Sequence, residues 1–145
     1  MLSLFHQNNE FSIGLKGEME KYILSQIADL IVAIKNHQPI HLIGAAGAFE
    51  TLYDLEQVDK SQINGDKQFA EKLSVEIFFQ HKRLLEQMSL RERESYPGMK
   101  PFRAGILPSA MIEIDLILKN MQNPSLWFSD FSLKEGYFFE SFRNS

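Results

Sequence analysis

Twice in this chain a short apolar run leads straight into a helical pattern. The first is PIHLIG, Pro39 to Gly44, followed by helical spacing from Ala46 to Gln57 with Phe49, Leu52, Tyr53 and Leu55 apolar. The second is LWFSD, Leu126 to Asp130, followed by a closing helix from Ser132 to Phe142. Strand, turn and helix in repeated succession call for an α/β fold rather than a pure helical bundle. Two or three strands are few for a sheet, where about four to six are usual. Part of the sheet is therefore expected to lie outside this sequence.

The remaining segments read mostly as helices. Met19, Ile23, Ile27, Leu30, Ile31 and Ile34 recur at helical spacing and predict one long helix between Gly14 and His37, ended by Pro39. VDKSQINGD reads as a loop with Asn64-Gly65 as its turn, and a short extended piece from Lys67 to Leu73 follows. Ser74 stands as the N-cap of an amphipathic run reaching Met88, and Ser89 caps a brief turn, LRERES. Tyr96-Pro97-Gly98 breaks the chain before a long apolar helix from Gly105 to Met121.

The chain has 145 residues, enough for one domain over 1–145 with its own core. It is 44% hydrophobic and 23% charged, with net charge −4. That balance carries no electrostatic footprint for DNA or RNA. With no cysteine there is no disulfide framework and no thiolate chemistry. No apolar stretch has the length of a membrane span. The opening MLSLFHQNNEF lacks the basic leader and long apolar core of a signal peptide, so a cytoplasmic location is expected.

Gly44 and Gly47 are the first candidate site residues. Glycines between a strand and a helix let the backbone approach a ligand, and the helix N-terminus behind them offers N–H groups to an anion. A tight turn in a packed core needs the same glycines, and so short a pattern favours the turn. It is neither a P-loop nor the six-residue dinucleotide fingerprint. The histidines make no metal site. Pro39 keeps His37 and His41 off one helical face, and His6 and His81 are isolated, so all four read as surface or internally satisfied. Glu71, Glu76 and Glu86 read as solvated positions, not an acid/base pair. Arg91-Glu92-Arg93-Glu94 is self-compensating and reads as a polar face. The twelve phenylalanines are spaced as core residues rather than as a base-stacking platform. Arg103, just ahead of the long apolar helix, can hold a phosphate bidentately or pair with a carboxylate, the second being the commoner role.

The stretch LRERESYPGMKPFRAGILPSAMIEIDLIL, followed by LWFSDFSLKEGYFFE, resembles the exopolyphosphatase and guanosine pentaphosphate phosphohydrolase family. That family carries an ER…PGL…RAD…G segment, a long helix, and a strand running into S-D/x-x-G-L-R-E-G. Arg93, Pro97, Gly98, Met99, Arg103, Ala104, Ser129, Asp130, Leu133, Lys134, Glu135 and Gly136 stand at matching positions. The family's strand and Gly-rich loop, G-T/S-G/S-G-T/S, corresponds to Gly44-Ala45-Ala46-Gly47-Ala48. The three motifs keep their order from about His41 to Phe139, and three ordered motifs are far more specific than one.

The resemblance implies an actin-like ATPase (ribonuclease H-like) half-domain, helix-rich with a few short strands, equivalent to the C-terminal lobe of a two-lobe module. The N-terminal lobe, with its Asp-x-Gly-Ser phosphate loop, catalytic glutamate and second Gly-rich loop, has no counterpart in this sequence. No catalytic residue and no metal ligand is therefore expected here. The water-orienting base and Mg²⁺ would belong to the other lobe, in the same or a separate chain. This lobe would form one wall of the cleft that takes polyphosphate or a guanosine nucleotide, with the backbone of Gly44, Ala45, Ala46, Gly47 and Ala48 facing phosphate and Arg103 second. Ser129 to Gly136 would shape the strand-to-helix turn, with Asp130 capping the final helix. The face turned to the other lobe could also hold a second copy of the chain. The sequence departs from the family at Ala45 and Ala48, which lack hydroxyls, and at Gly105, Ala110 and Lys134, which replace Asp, Gly and Arg. These departures bear on ligand binding, not on the fold. The alternatives are a binding module without catalysis and an interaction domain with no phosphate ligand.

Overall fold

The computed structural model describes residues 6–7, 10–11, 13–45, 47–59 and 69–143. A hairpin of β1 (His6–Gln7) and β2 (Glu10–Phe11) leads through a 3-10 turn, Ile13–Leu15, into α1 (Lys16–Gln26) and α2 (Ala28–His37). β3 (His41–Ala45), α3 (Gly47–Asp59), β4 (Ala70–Leu73), α4 (Val75–Gln87) and α5 (Leu90–Glu94) follow. A second 3-10 turn, Pro101–Arg103, precedes α6 (Leu107–Lys119), β5 (Ser125–Ser129) and α7 (Leu133–Arg143).

β5 is the central strand of a mixed sheet ordered β3-β5-β4. β3 runs parallel to it, with Leu42 opposite Leu126 and Gly44 opposite Phe128. β4 is antiparallel, with Leu73 opposite Leu126. Side chains alternate across a strand, so Leu42, Leu73, Leu126 and Phe128 share the inward face. Among the described residues no strand pairs with the outer edge of β3, and the sheet is incomplete, as the strand count implied. α3, α4 and α6 cover the inward face with Leu55, Phe78, Leu85 and Met111. α1 lays Met19 and Ile23 against Ile112 and Leu116 of α6.

Charges lock the same helices together, which corrects the solvated reading of Glu86. Lys82 of α4 lies 2.8 Å from Glu86 and 3.1 Å from Asp115 of α6. Lys16 of α1 reaches Glu86 at 2.8 Å. Lys82, Glu86 and Asp115 are 6%, 8% and 2% exposed, so burial leaves each dependent on the others. Burial alone would lower the pKa of Lys82, but its bonds to Glu86 and Asp115 outweigh this and raise it. Glu76 is exposed and Glu71 half-buried.

Other expectations fare unevenly. The single helix expected over residues 14–37 bends at Ile27 (φ −105°, ψ 18°), although Ile27 N–H still donates to Ile23 O and Ile31 N–H to Ile27 O. α1 buries Met19 and Ile23, whereas α2 buries only Ile34 and leaves Leu30 exposed. The Asn64-Gly65 turn and the start of the extended piece at Lys67 lie outside the described residues. Ser74 caps α4 by accepting from Ile77 N–H (3.2 Å), and Ser89 forms a capping box with Glu92.

Ser132 immediately precedes α7 and is tied to its first turn. Its hydroxyl and N–H both donate to Glu135 Oε2, at 2.6 and 2.8 Å, and hold that carboxyl at a pKa of about 2. The phenylalanines also divide. Phe11, Phe78 and Phe128 are core, while Phe69, Phe102, Phe131, Phe138, Phe139 and Phe142 are exposed.

Candidate functional site

The loop between β3 and α3 shows what each glycine does. Gly44 is buried, and a Cβ there would run into the Phe49 ring. It allows α3 to close onto the strand. Gly47 has φ +57°, with open space where a Cβ would be, so its requirement is conformational rather than steric. Ala45 ends β3 at an exposed position, Ala46 lies outside the described residues, and Ala48 opens the first turn of α3, half-buried. Thr51 does not replace the missing loop hydroxyls: it is buried and donates back to Gly47 O at 3.5 Å.

Arg103 is brought to this loop by a firmly held segment. Gly98, at φ +80°, turns the chain close against α3, where a Cβ would meet Asp54 O and Leu55 Cα at 3.2 Å. Lys100 then pairs with Glu50 (3.0 Å) and Asp54 (3.2 Å) of α3. Its pKa is raised, because those carboxylates outweigh the burial that would lower it. Arg93 corrects the polar-face reading of Arg91 to Glu94. It is 1% exposed and donates to Ala104 O (2.9 Å), tying α5 to the residue after Arg103.

Ala48 and Arg103 meet at one cavity of about 260 Å³, between α1 and the start of α6. Met19, Ile23 and Leu107 make its apolar wall, and Tyr22, Ser109 and Glu113 add polar atoms. Arg103 Nε is shut off from solvent with no hydrogen-bond partner. Its guanidinium lies 5.1 Å from the Phe102 ring centroid. Ala48, Ala110 and Glu113 also line a neighbouring cavity of about 220 Å³ against Leu42 and Ile43 of β3. Gly44, Ala45 and Gly47 are not among the residues lining either cavity. Sequence reasoning missed Tyr22 and Glu113, because only the crossing of α1 over α6 brings them to Arg103.

Two of the histidines take structural places. His41 Nδ1 lies 2.6 Å from Ser125 Oγ. His81 is buried, with Nε2 3.1 Å from Asp59 and Nδ1 3.3 Å from the Tyr96 hydroxyl. Burial lowers its pKa against the opposing pull of Asp59. Among the described residues no three His, Asp or Glu side chains gather in a way that could hold a metal ion. The donors of the described residues therefore do not by themselves fit a Mg²⁺ site. Nor is any helix among them long and apolar enough to cross a membrane.

This arrangement of sheet, loop and helices is the fold of about half of an exopolyphosphatase. A crystal structure of an exopolyphosphatase from Cytophaga hutchinsonii ATCC 33406 matches 98% of this chain with a TM-score of 0.86 and 26% sequence identity. The match covers 46% of that protein, so this chain spans less than half its length. No protein-family model matches the chain, and no curated protein does.

Proposed function

We propose that this chain is the C-terminal lobe of an exopolyphosphatase-like phosphohydrolase and forms one wall of an interlobe cleft. There the terminal phosphate of polyphosphate or guanosine pentaphosphate is cleaved. The observation that carries this reading is the fold match over 98% of the chain. The meeting of Ala48 and Arg103 at one cavity supports it further. Hydrolysis of a phosphoanhydride needs positive charge around the transferred group and a base to orient water. In this reading Arg103 and the loop N–H groups of residues 44–48 supply positive charge and donors on this side. The base, and the ligands that hold Mg²⁺, belong to an N-terminal lobe in the same or a separate chain. The bound Mg²⁺ would neutralise phosphate oxygens. Such a lobe alone is inactive, and its place of work is the cytoplasm.

The hydroxyl-free loop favours a second reading, a module that binds phosphate ligands without turnover. Phosphate release from polyphosphate and from guanosine pentaphosphate, with Mg²⁺, separates the two. The chain is assayed alone and together with the complementary lobe. No release alone and clear release together is the expected result, with Arg103→Ala lowering the combined rate. Association of the lobes without release would eliminate the hydrolase reading.

A further inference from the structure

We propose that the cavity between α1 and α6 is a binding site for a free α-amino acid with an apolar side chain. Met19, Ile23 and Leu107 give the lining an apolar wall. Arg103 is its one cation and Glu113 its one anion. The two form no ion pair with each other, and the Glu113 carboxylate makes no hydrogen bond or ion pair with any described residue. Arg103 Nε is enclosed and has no hydrogen-bond partner. Opposite charges, each unanswered, thus stand beside one apolar surface.

A ligand that answers all three features carries an anion, a cationic donor and an apolar body. The carboxylate of an amino acid accepts two parallel N–H bonds from a guanidinium, and the side-on pair uses the unmatched Nε of Arg103. An ionised Glu113 only accepts, and an ammonium group offers it donors and charge. The side chain covers Met19, Ile23 and Leu107. Each rival chemistry leaves a group unmet. A polyanion satisfies Arg103 but is repelled by Glu113, and a simple amine does the opposite. A quaternary ammonium zwitterion has no N–H to donate. A peptide would set amide groups against the apolar wall, where unpaired polar groups are costly. The size agrees. An apolar cavity of about 150 Å³ already holds benzene, and pockets for drug-sized ligands run about 300–1,000 Å³. At about 260 Å³ this cavity has room for a branched or ring side chain with its two charged heads. The ligand class is distinct from the phosphoanhydride substrate proposed above, and the inference stands on the cavity alone.

Isothermal titration of the full chain with L-leucine and L-phenylalanine tests this. The controls are their hydroxy-acid analogues, which lack the ammonium, the corresponding amines, which lack the carboxylate, and glycine, which lacks the side chain. The tighter-binding amino acid should exceed its hydroxy acid, its amine and glycine by at least about tenfold each. Glu113→Gln should bring it down to the level of its hydroxy acid, and Arg103→Gln to the level of its amine. No binding of either amino acid, equal affinity for the analogues, or an unchanged ratio of amino acid to hydroxy acid in Glu113→Gln overturns the inference. Circular dichroism reports whether Arg103→Gln remains folded; if it does not, Glu113→Gln, nearly isosteric and at a half-buried position, decides alone. Amino-acid binding without phosphate release by the paired lobes would keep this inference and remove the proposed function. Phosphate release without amino-acid binding would do the reverse.

Discussion

α6 and α7 are both apolar-rich helices close together in sequence, yet α6 buries nine of its 13 residues and α7 buries none of its 11. α6 sits over the covered face of the sheet, and its one deeply buried charge, Asp115, is met by Lys82 and Lys119. α7 leaves the end of β5 and exposes Leu133, Tyr137, Phe138, Phe139 and Phe142. Its visible supports are the Ser132–Glu135 cap and a chain of rings in which Phe131 stacks on Phe69 at 4.8 Å and meets Phe139. An isolated helix shorter than about 12–15 residues is marginal in water. Apolar content thus does not decide burial here; position relative to the sheet does. α6 should unfold with the whole molecule, and α7 should open by itself.

Lys82→Ala should break the comparison most severely, because it leaves Glu86 and Asp115 buried without their shared cation. Removing one partner of a buried ion pair costs about 3–5 kcal/mol. Urea unfolding should show a loss of that order. The matching change on α7, Lys134→Ala, removes a surface pair with Glu135 and should cost less than about 1 kcal/mol. Equal losses from the two would mean that α7 is part of the cooperative core.

The caps offer a gentler version of the same contrast. Ser74→Ala on α4 should lower global stability by about 1 kcal/mol, the usual worth of an N-cap. Ser132→Ala on α7 should leave the urea midpoint in place while speeding hydrogen exchange at the α7 amides. A shifted midpoint in Ser132→Ala would show that α7 does not open independently.

How much of this was legible beforehand follows from which signals are local. Ser74 and Ser89 were readable as caps because capping is decided within one turn. The two strands and the α6 run were readable because their periods are set by the face they bury. Arg93 and Glu86 were not, since Arg93 reaches the Ala104 carbonyl, and Glu86 is met by Lys16 of α1 and by Lys82, which also reaches Asp115 of α6. A charged sequence on a helix looks solvated until tertiary contacts close over it. The phenylalanines of α7 failed in the opposite sense: their composition suggests a core, but no described element covers them. The family resemblance singled out the loop and Arg103 as residues to look at. The cavity that joins Arg103 to Ala48 was not legible, because α1 brings Met19, Tyr22 and Ile23 to its wall from far away in sequence.

pH probes a smaller term inside the packed part. Burial lowers the pKa of His81 below 6.5, against the attraction of Asp59. The unfolded chain, titrating at 6.5, therefore takes up a proton that the folded protein refuses. Stability is unaffected by this group well above that pH, falls as the pH drops through it, and levels off below the folded-state pKa. His81→Gln should flatten the decline in urea midpoint between about pH 7.5 and about pH 5. An unchanged slope would mean that Asp59 compensates the burial fully.

The smallest effects belong to the rings of α7. Phe138 and Phe142 touch each other, centroids 4.5 Å apart, and both are exposed. Truncating either to alanine removes surface that is already in water, so global stability should change by no more than about 0.5 kcal/mol. Met111→Ala, on the buried face of α6, should instead cost about 2–5 kcal/mol through the cavity it leaves. Thermal unfolding of the three variants side by side reads the difference directly. A Phe138→Ala loss approaching that of Met111→Ala would require α7 to be packed in solution, and the contrast between the two helices would then be one of degree.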